Sequence, residues 1–251
     1  MSLTSAATWG VMIQPWKNVA DALSRRIATL AELKPGAEVL SLGGGEGRFA
    51  VWVAERYQAQ VEAVDPDPAA VARGESAAGH VPSNIRPQFT VGSPAKLPHE
   101  DAVFDVAVVD LLVLGDEDPN VVLAEAVRVL KPYGVLVALV PVWHEPPPAE
   151  LRDLLSERLG LGAHLLVEWK RWMRTAGLVE LAAEAPPEGR WATDSRVAAL
   201  ARGWRIAGLR GVRAALSAAA SLFWREMESR RLDLAIVRGV KWPHPAAPPK
   251  A

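Results

Sequence analysis

Residues 38–47 carry the first combination of residue types that could do chemistry. They read Glu-Val-Leu-Ser-Leu-Gly-Gly-Gly-Glu-Gly, which is a short apolar strand that runs into a glycine turn. Glycine has no Cβ, so such a turn can adopt positive φ angles and let the backbone approach a ligand closely. Apolar residues at helical spacing follow, so a helix is predicted to begin at the turn. Strand, glycine turn and helix are typical of the nucleotide-binding start of a doubly wound α/β sheet.

Asp65 is a second candidate for contact with a nucleotide. It ends the apolar segment 60–65, which predicts a second strand downstream of the glycines. In such folds an acid roughly twenty residues after the glycines accepts hydrogen bonds from the ribose hydroxyls of an adenosine. The alternative is a solvated helix cap before Pro66, with Asp67 as the other candidate.

The spacing of the glycines distinguishes between cofactors. A dinucleotide fingerprint, G-x-G-x-x-G, needs a third glycine that packs helix on strand. That position is Arg48 when counted from Gly43 and Ala50 when counted from Gly45. A nicotinamide or flavin cofactor is not excluded, but alternating glycines at 43, 45 and 47 resemble the first motif of the class I methyltransferases that use S-adenosylmethionine.

The elements that must position these residues alternate between strands and helices. Apolar segments bounded by turn residues predict strands at 39–42, 60–65, 86–91, 104–110, 135–140, 177–183 and 232–240. Asp118-Pro119 is a typical helix start, and helices are also predicted at 68–78, 151–159 and 164–176. Five strands that alternate with helices predict a parallel sheet with right-handed crossovers.

The resemblance to class I methyltransferases extends over several motifs in the family's order and spacing. They are Val39 to Gly47, Asp65, Leu97-Pro98 before Phe104-Asp105-Val106, and Leu130-Lys131-Pro132-Tyr133-Gly134. The chain looks most like the small-molecule branch that includes the quinone-biosynthesis methyltransferases. The resemblance implies an α/β fold, a Rossmann-like seven-stranded sheet with helices on both faces and an antiparallel last strand.

The resemblance also implies a site for S-adenosylmethionine, with the glycines under its methionine part and Asp65 on its ribose. The predicted cofactor-binding residues are Ser41, Gly43, Gly45, Gly47, Asp65, Pro66, Ser93, Pro94 and Asp110. Ser41 and Ser93 stand where the family usually carries acids. Because a charge-assisted hydrogen bond is about twice as strong as a neutral one, each serine is predicted to weaken cofactor binding by roughly 1 kcal/mol.

Two residues are candidates for catalysis. Asp110 ends the fourth strand, and His144 follows the fifth, where open α/β sheets bind ligands. Methyl transfer from a sulfonium depends mainly on alignment, so a base is needed only if the acceptor keeps its proton. The alternatives are that Asp110 positions the cofactor amine or caps a helix, and that His144 is a structural loop residue. No histidine has metal-ligand spacing, so no metal is predicted.

Composition narrows the acceptor and the location. The chain has 251 residues, a net charge of −1 and no cysteine, which excludes cysteine nucleophiles and does not favour nucleic acid as a partner. No apolar run is long enough for a membrane span, and no signal peptide is visible, so a cytoplasmic protein is expected. A small or lipidic acceptor, apolar or acidic, is predicted by resemblance and exclusion.

The predicted organisation is a methyltransferase core with additions. Residues 1–36 form an N-terminal lid helix, 37–185 the cofactor-binding core, 186–231 a basic helical insertion, 232–241 the last strand and 242–251 a disordered tail. Segment 190–231 has nine arginines and three acidic residues, a net +6. This surface is either a solvated helical face, a homodimer contact, a site for an acidic substrate, or a membrane or nucleic-acid surface.

The sequence therefore predicts an enzyme of the methyl-transferring class, EC 2.1.1. The first alternative is a weakly active or inactive cofactor-binding relative that serves as a regulator or scaffold, which Ser41 and Ser93 motivate. The second is an NAD(P)-dependent oxidoreductase, which the glycine spacing disfavours. The identity of the acceptor and the methylated atom do not follow from the residues.

Overall fold

A computed structural model describes residues 22–43, 47–111, 117–159, 162–186, 222, 225–226 and 229–243. Gly45 and most of the predicted lid, insertion and tail lie outside these residues, so the predictions for them remain untested.

A seven-stranded sheet forms the centre of the described chain. Its strands are β1 (Glu38–Leu42), β2 (Gln60–Asp65), β3 (Gln88–Val91), β4 (Phe104–Asp110), β5 (Leu130–Trp143), β6 (Leu178–Glu184) and β7 (Leu232–Lys241). Their spatial order is β3-β2-β1-β4-β5-β7-β6. The first five strands are parallel, and β7 is antiparallel to both β5 and β6. The predicted fold class is confirmed.

Helices cover both faces of the sheet. They are α1 (22–30), α2 (Arg48–Tyr57), α3 (Pro68–Ala77), α4 (Pro119–Val129), α5 (Ala149–Leu159) and α6 (Leu166–Thr175). Asp67 and Asp118 cap α3 and α4, and each is followed by a proline at the first helical position, where no N–H is needed. Apolar residues of α1 and α2 pack in one core cluster, and those of α4 and α6 pack in the other.

The fifth strand is longer than predicted, because pairing that is remote in sequence extends it. The prediction ended β5 at Val140, before a proline. β4 ends opposite Leu139, so Pro141 lies beyond that pairing and its missing N–H removes no bond to β4. β7 continues alongside as far as Trp143, which pairs with Leu232.

The described part of the N-terminal region is attached to the sheet. Ile27 of α1 is buried, Arg26 forms an ion pair with Glu184 of β6, and Nε of Arg238 in β7 donates to the Leu30 carbonyl at 2.8 Å. These contacts hold the end of α1 against the strands, and a lid function for residues 1–36 remains a prediction.

Among the described helices, none is both long and apolar enough to cross a membrane.

Candidate cofactor and active site

Gly43, which begins the glycine turn, and two aspartates lie side by side at the carboxyl edge of the sheet. Leu42 of β1 pairs with Val64 of β2 and with Val109 of β4. The next residues in the three strands are Gly43, Asp65 and Asp110, so the register places these three at the same level. The Gly43 N–H donates to the Val64 carbonyl at 3.1 Å and continues the ladder to the edge. The sheet thus assembles three of the predicted residues.

The two described glycines of the turn both adopt the left-handed conformation. Gly43 has φ +75° and Gly47 has φ +70°, angles that favour glycine over residues with a Cβ. A Cβ at Gly47 would lie 2.8 Å from Cζ of Phe89 and 2.9 Å from Cα of Gly74. Gly47 is therefore required for packing α2 against α3 and β3, a role that the sequence prediction missed. Contact of Gly47 with the methionine part of a cofactor remains a prediction.

Asp65 and Asp67 have different tasks in the structure. Asp65 is only 4% exposed, and its Oδ1 accepts a hydrogen bond from the Asp67 N–H at 2.9 Å. Oδ1 of Asp67 accepts from the Ala69 N–H at 2.9 Å and so caps α3. The capping role thus belongs to Asp67. Pro66 between them is exposed. A buried carboxylate at this edge has the chemistry that a ribose diol needs, since it accepts from two hydroxyls.

Ser93 is hydrogen-bonded to Glu117, a carboxylate that the sequence prediction did not include among the site residues. It lies in the loop after β3, and its Oγ donates to Oε1 of Glu117 at 2.8 Å and accepts from the Ala95 N–H at 3.2 Å. Pro94, next to it, is buried. Glu117 comes directly before the cap of α4, so it lies at the same edge. The position of Glu117 could have been inferred from the sequence, because the predicted helix start at Asp118-Pro119 follows it directly.

Ser41 has a different environment from Ser93. It is 3% exposed within β1, between Ala63 of β2 and Val108 of β4 in the register. A buried strand surrounded by apolar residues favours a small neutral side chain over a carboxylate, because burying an unpaired charge is costly. The predicted contact of Ser41 with the cofactor remains a prediction.

The structure does not bring Asp110 and His144 together. Asp110 pairs with Leu139, and the end of β5 at Trp143 lies four residues further on. At about 3.3 Å per residue this is roughly 13 Å along the strand, and His144 lies beyond it. His144 is 58% exposed, and its Nε2 lies 3.9 Å from Oδ2 of Asp233, too far for a hydrogen bond. A role for each residue in catalysis remains a separate prediction.

His164 is a second imidazole near the end of β5. Its carbonyl accepts from the Trp143 N–H at 3.0 Å, and its ring centroid lies 5.2 Å from that of Trp169 and 4.6 Å from that of Trp172. Burial lowers the pKa of His164, although the charges of Glu168 and Asp118 act to raise it. The neutral form is favoured. The sequence prediction placed this residue only at a helix start.

The loop before β4 is held in place by Arg128 of α4. Its guanidinium donates to Oε1 of Glu125 at 2.7 Å, to Oδ1 of Asp101 at 2.7 Å and to the His99 carbonyl at 2.8 Å. Oε2 of Glu125 accepts from the Leu97 N–H at 3.2 Å. The hydrogen bond from Arg128, opposed by burial, lowers the pKa of Glu125. The Leu97-Pro98 motif thus marks a loop clamped to α4.

Within the described ranges, no group of three His, Asp or Glu residues is placed to hold a metal ion.

The sheet order, the reversed seventh strand and the glycine turn beside a buried strand-end acid define the fold of class I methyltransferases. Residues 40–138 match the protein family described as Methyltransferase domain. Over this segment the chain is similar to the methyltransferases, in agreement with the resemblance that its motifs carry.

Two relatives with assigned functions align with part of the chain. The ubiquinone/menaquinone biosynthesis C-methyltransferase UbiE of Rubrivivax gelatinosus is 32% identical over 122 residues, which are 47% of this chain and 46% of that protein. The 27-O-demethylrifamycin SV methyltransferase of Amycolatopsis mediterranei is 30% identical over 168 residues, or 64% of this chain and 61% of that protein. The chain thus spans less than two thirds of either relative.

The crystal structure of the [4+2]-cyclase SpnF has a similar fold. It superposes with a TM-score of 0.70 at 24% identity and covers 91% of this chain and 83% of that one. SpnF is named for a cyclisation, so this similarity is evidence for the fold alone. The reaction of this protein has to be inferred from its own site.

Proposed function

We propose that this protein transfers a methyl group from S-adenosylmethionine to a small-molecule or lipidic acceptor. The observation that carries the proposal is the alignment of Gly43, Asp65 and Asp110 at one edge of the sheet. Gly43 lets the backbone approach a ligand closely, and the buried carboxylate of Asp65 can accept hydrogen bonds from ribose hydroxyls. Asp110 places a second acid about two strand spacings from Asp65. These residues fit an adenosyl cofactor.

The residues of the chain would contribute mainly alignment. The cofactor supplies a methyl group that its sulfonium already activates. Asp65 accepts hydrogen bonds from the two ribose hydroxyls, and Gly43 lets the backbone lie close to the cofactor. Asp110 accepts a hydrogen bond from the cofactor amine or a proton from the acceptor. Holding the two partners in line can contribute several kcal/mol to lowering the barrier, about 7–11 in well-oriented systems.

The nature of the acceptor is supported by the relatives. One is named for a methylation in quinone biosynthesis and the other for methylation of 27-O-demethylrifamycin SV. Trp143, at the end of β5, is only 3% exposed and packs with Leu155 and Leu232, so it belongs to the core. The support for a small-molecule or lipidic acceptor is therefore the names of the two relatives.

Calorimetric titration with S-adenosylhomocysteine tests the proposal. The wild type should bind in the micromolar range, and Asp65→Asn should weaken binding about tenfold or more, since a charged acceptor is lost. Glu75→Gln is a matched control, because it removes an exposed acid of α3. Absence of binding by the wild type, or equal binding by Asp65→Asn, would count against the proposed site. Acceptor screening with radiolabelled methyl groups then follows.

Assembly and location extend the proposal beyond the described residues. A homodimer through residues 186–231 and a cytoplasmic location remain predictions. Light scattering on the full chain, compared with a variant that exchanges Arg202 and Arg205 for glutamate, tests the dimer.

A further inference from the structure

A cavity lies at the amino edge of the sheet, at the opposite end of the strands from the candidate site. Its volume is about 390 Å³, and small-molecule sites usually measure about 300–1,000 Å³. Asp105, which lines the cavity, lies five residues before Asp110 on β4. At about 3.3 Å per residue the two levels are roughly 16 Å apart, so the cavity is separate from the edge that carries Gly43 and Asp65.

An exposed aromatic ring lines this cavity in a disfavoured backbone conformation. Residues 131–134 of β5 stand opposite the single residue Asp105 of β4, because the pairing of the two strands is irregular there. Within this turn Tyr133 has a φ of +64°, which is uncommon for a bulky side chain, and it is 64% exposed. Irregular strand pairing and disfavoured φ angles both concentrate at functional sites, so the position of this ring points to a ligand.

The two acids of the cavity already have cationic partners. Oδ1 of Asp105 accepts from Nζ of Lys131 at 2.9 Å, and its Oδ2 accepts from the Glu38 N–H at 2.9 Å. Oε1 of Glu32 accepts from Nη2 of Arg238 at 2.6 Å. Both carboxylates are therefore neutralised by side chains of the protein, and neither of them requires a cationic ligand.

Lys34 supplies a positive charge that the cavity leaves available. This exposed side chain lines the cavity, and it makes no hydrogen bond or ion pair with the part of the chain that the structure describes. An ammonium group offers three donors to an anionic partner. The rest of the lining is largely apolar and includes the buried Val106 and Val135 together with Pro35 and Pro132.

We propose that this cavity is a second ligand site, which binds a small aromatic carboxylic acid. The carboxylate pairs with the ammonium of Lys34, and the aromatic ring packs against Tyr133 and the apolar lining. This inference goes beyond the proposed function, because the site lies at the other end of the sheet and needs no cofactor.

Calorimetric titration of the full chain with 1-naphthoate tests the inference. The wild type should bind it saturably, with a dissociation constant below about 1 mM. It should bind 1-naphthalenemethanol, which has the same ring system and no charge, about three- to tenfold more weakly. Lys34→Gln should bring this ratio near one. Lys96→Gln is the matched control, because it removes an exposed lysine of the loop after β3 and should keep the wild-type ratio.

Two substitutions of Tyr133 test the role of its ring. Tyr133→Gly should stay folded, because glycine suits the positive φ at this position, and it should weaken 1-naphthoate binding about threefold or more. Tyr133→Phe keeps the ring and should bind like the wild type. Equal binding by Tyr133→Gly and the wild type would overturn the contact between this ring and the ligand.

Asp65→Asn separates this inference from the proposed function, since it should leave 1-naphthoate binding unchanged. A weaker affinity in that variant would place 1-naphthoate at the cofactor edge and overturn the second site. Absence of saturable binding by the wild type, or an unchanged ratio in Lys34→Gln, would overturn it as well. If the wild type binds 1-naphthoate as expected but not S-adenosylhomocysteine, the proposed function fails and the second site stands.

Discussion

The ring of Phe89 lies directly against Gly74, so closely that a Cβ on Gly74 would be 2.4 Å from Cε1 of the ring. The same ring lies next to Gly47 at the end of the glycine turn. Phe89 of β3 thus fills the space between two helices that both begin at the site edge. The packing of α2 and α3 at this edge depends on two positions that carry no side chain.

Gly74→Ala should destabilise the protein by about 1–3 kcal/mol, the usual cost of overpacking. In an ordinary helix the same change would stabilise, because glycine loses more backbone entropy on folding. Gly79→Ala is the matched control, since a Cβ there meets nothing within 4 Å. Urea denaturation measures both variants, and a second change, Phe89→Leu, should restore part of the loss in Gly74→Ala. Equal stability of the two alanine variants would contradict the packing argument.

Arg128→Lys should also destabilise, by about 1–3 kcal/mol, although the charge is kept. A lysine cannot reproduce the fork that binds Glu125, Asp101 and the His99 carbonyl at once. Loss of these partners leaves the half-buried carboxylate of Glu125 incompletely bonded. Arg152→Lys, in which an exposed side chain forms an ion pair with the neighbouring Asp153, should change little. Thermal denaturation compares the two, and similar midpoints would show that the clamp contributes nothing.

The stability of the protein should depend on the protonation of His164. Burial lowers the pKa of this imidazole in the folded protein below its usual value of 6.5. The unfolded chain therefore takes up the proton first as pH falls. The stabilising contribution is complete above about pH 6.5 and is lost as pH falls from there through the folded-state pKa.

The measurement is the free energy of unfolding of the wild type and of His164→Gln, from urea titrations at several pH values between about 5 and 8. The wild-type value should fall more steeply towards low pH than that of the variant. Parallel curves would mean that burial does not affect the titration of His164.

The parts of the fold that were predictable are those determined by local pattern. The strand ends at Asp65 and Asp110 were found because apolar runs stop at an acid, and the start of α4 was found because Asp118-Pro119 is a typical helix start. The length of β5 was missed, because it depends on β7, which pairs with it from far along the chain.

The candidate site also has some features that local sequence predicts and others that depend on contacts between residues far apart in the chain. The position of Gly43 and Asp65 at one edge was predictable from their spacing within one strand–turn–helix–strand unit, and their contact with a cofactor stays a prediction. Glu117 was missed, because its contact with Ser93 exists only once the loop after β3 packs beside the start of α4. The reason for Gly47 was also missed, since the clash with Phe89 is a tertiary contact.

The separation of Asp110 and His144 gives a last prediction, which concerns S-adenosylhomocysteine binding. Asp110→Asn should weaken the affinity about tenfold, because a charged acceptor at the cofactor edge becomes neutral. His144→Gln should leave it within about twofold, since the imidazole lies beyond the end of β5, roughly 13 Å or more along the strand from the level of Asp110. Residues this far apart contribute almost independently, within about 0.5 kcal/mol, so the double variant should bind like Asp110→Asn alone. Calorimetry on the four proteins measures this, and a strong coupling between the two changes would show that the end of β5 folds back over the cofactor edge.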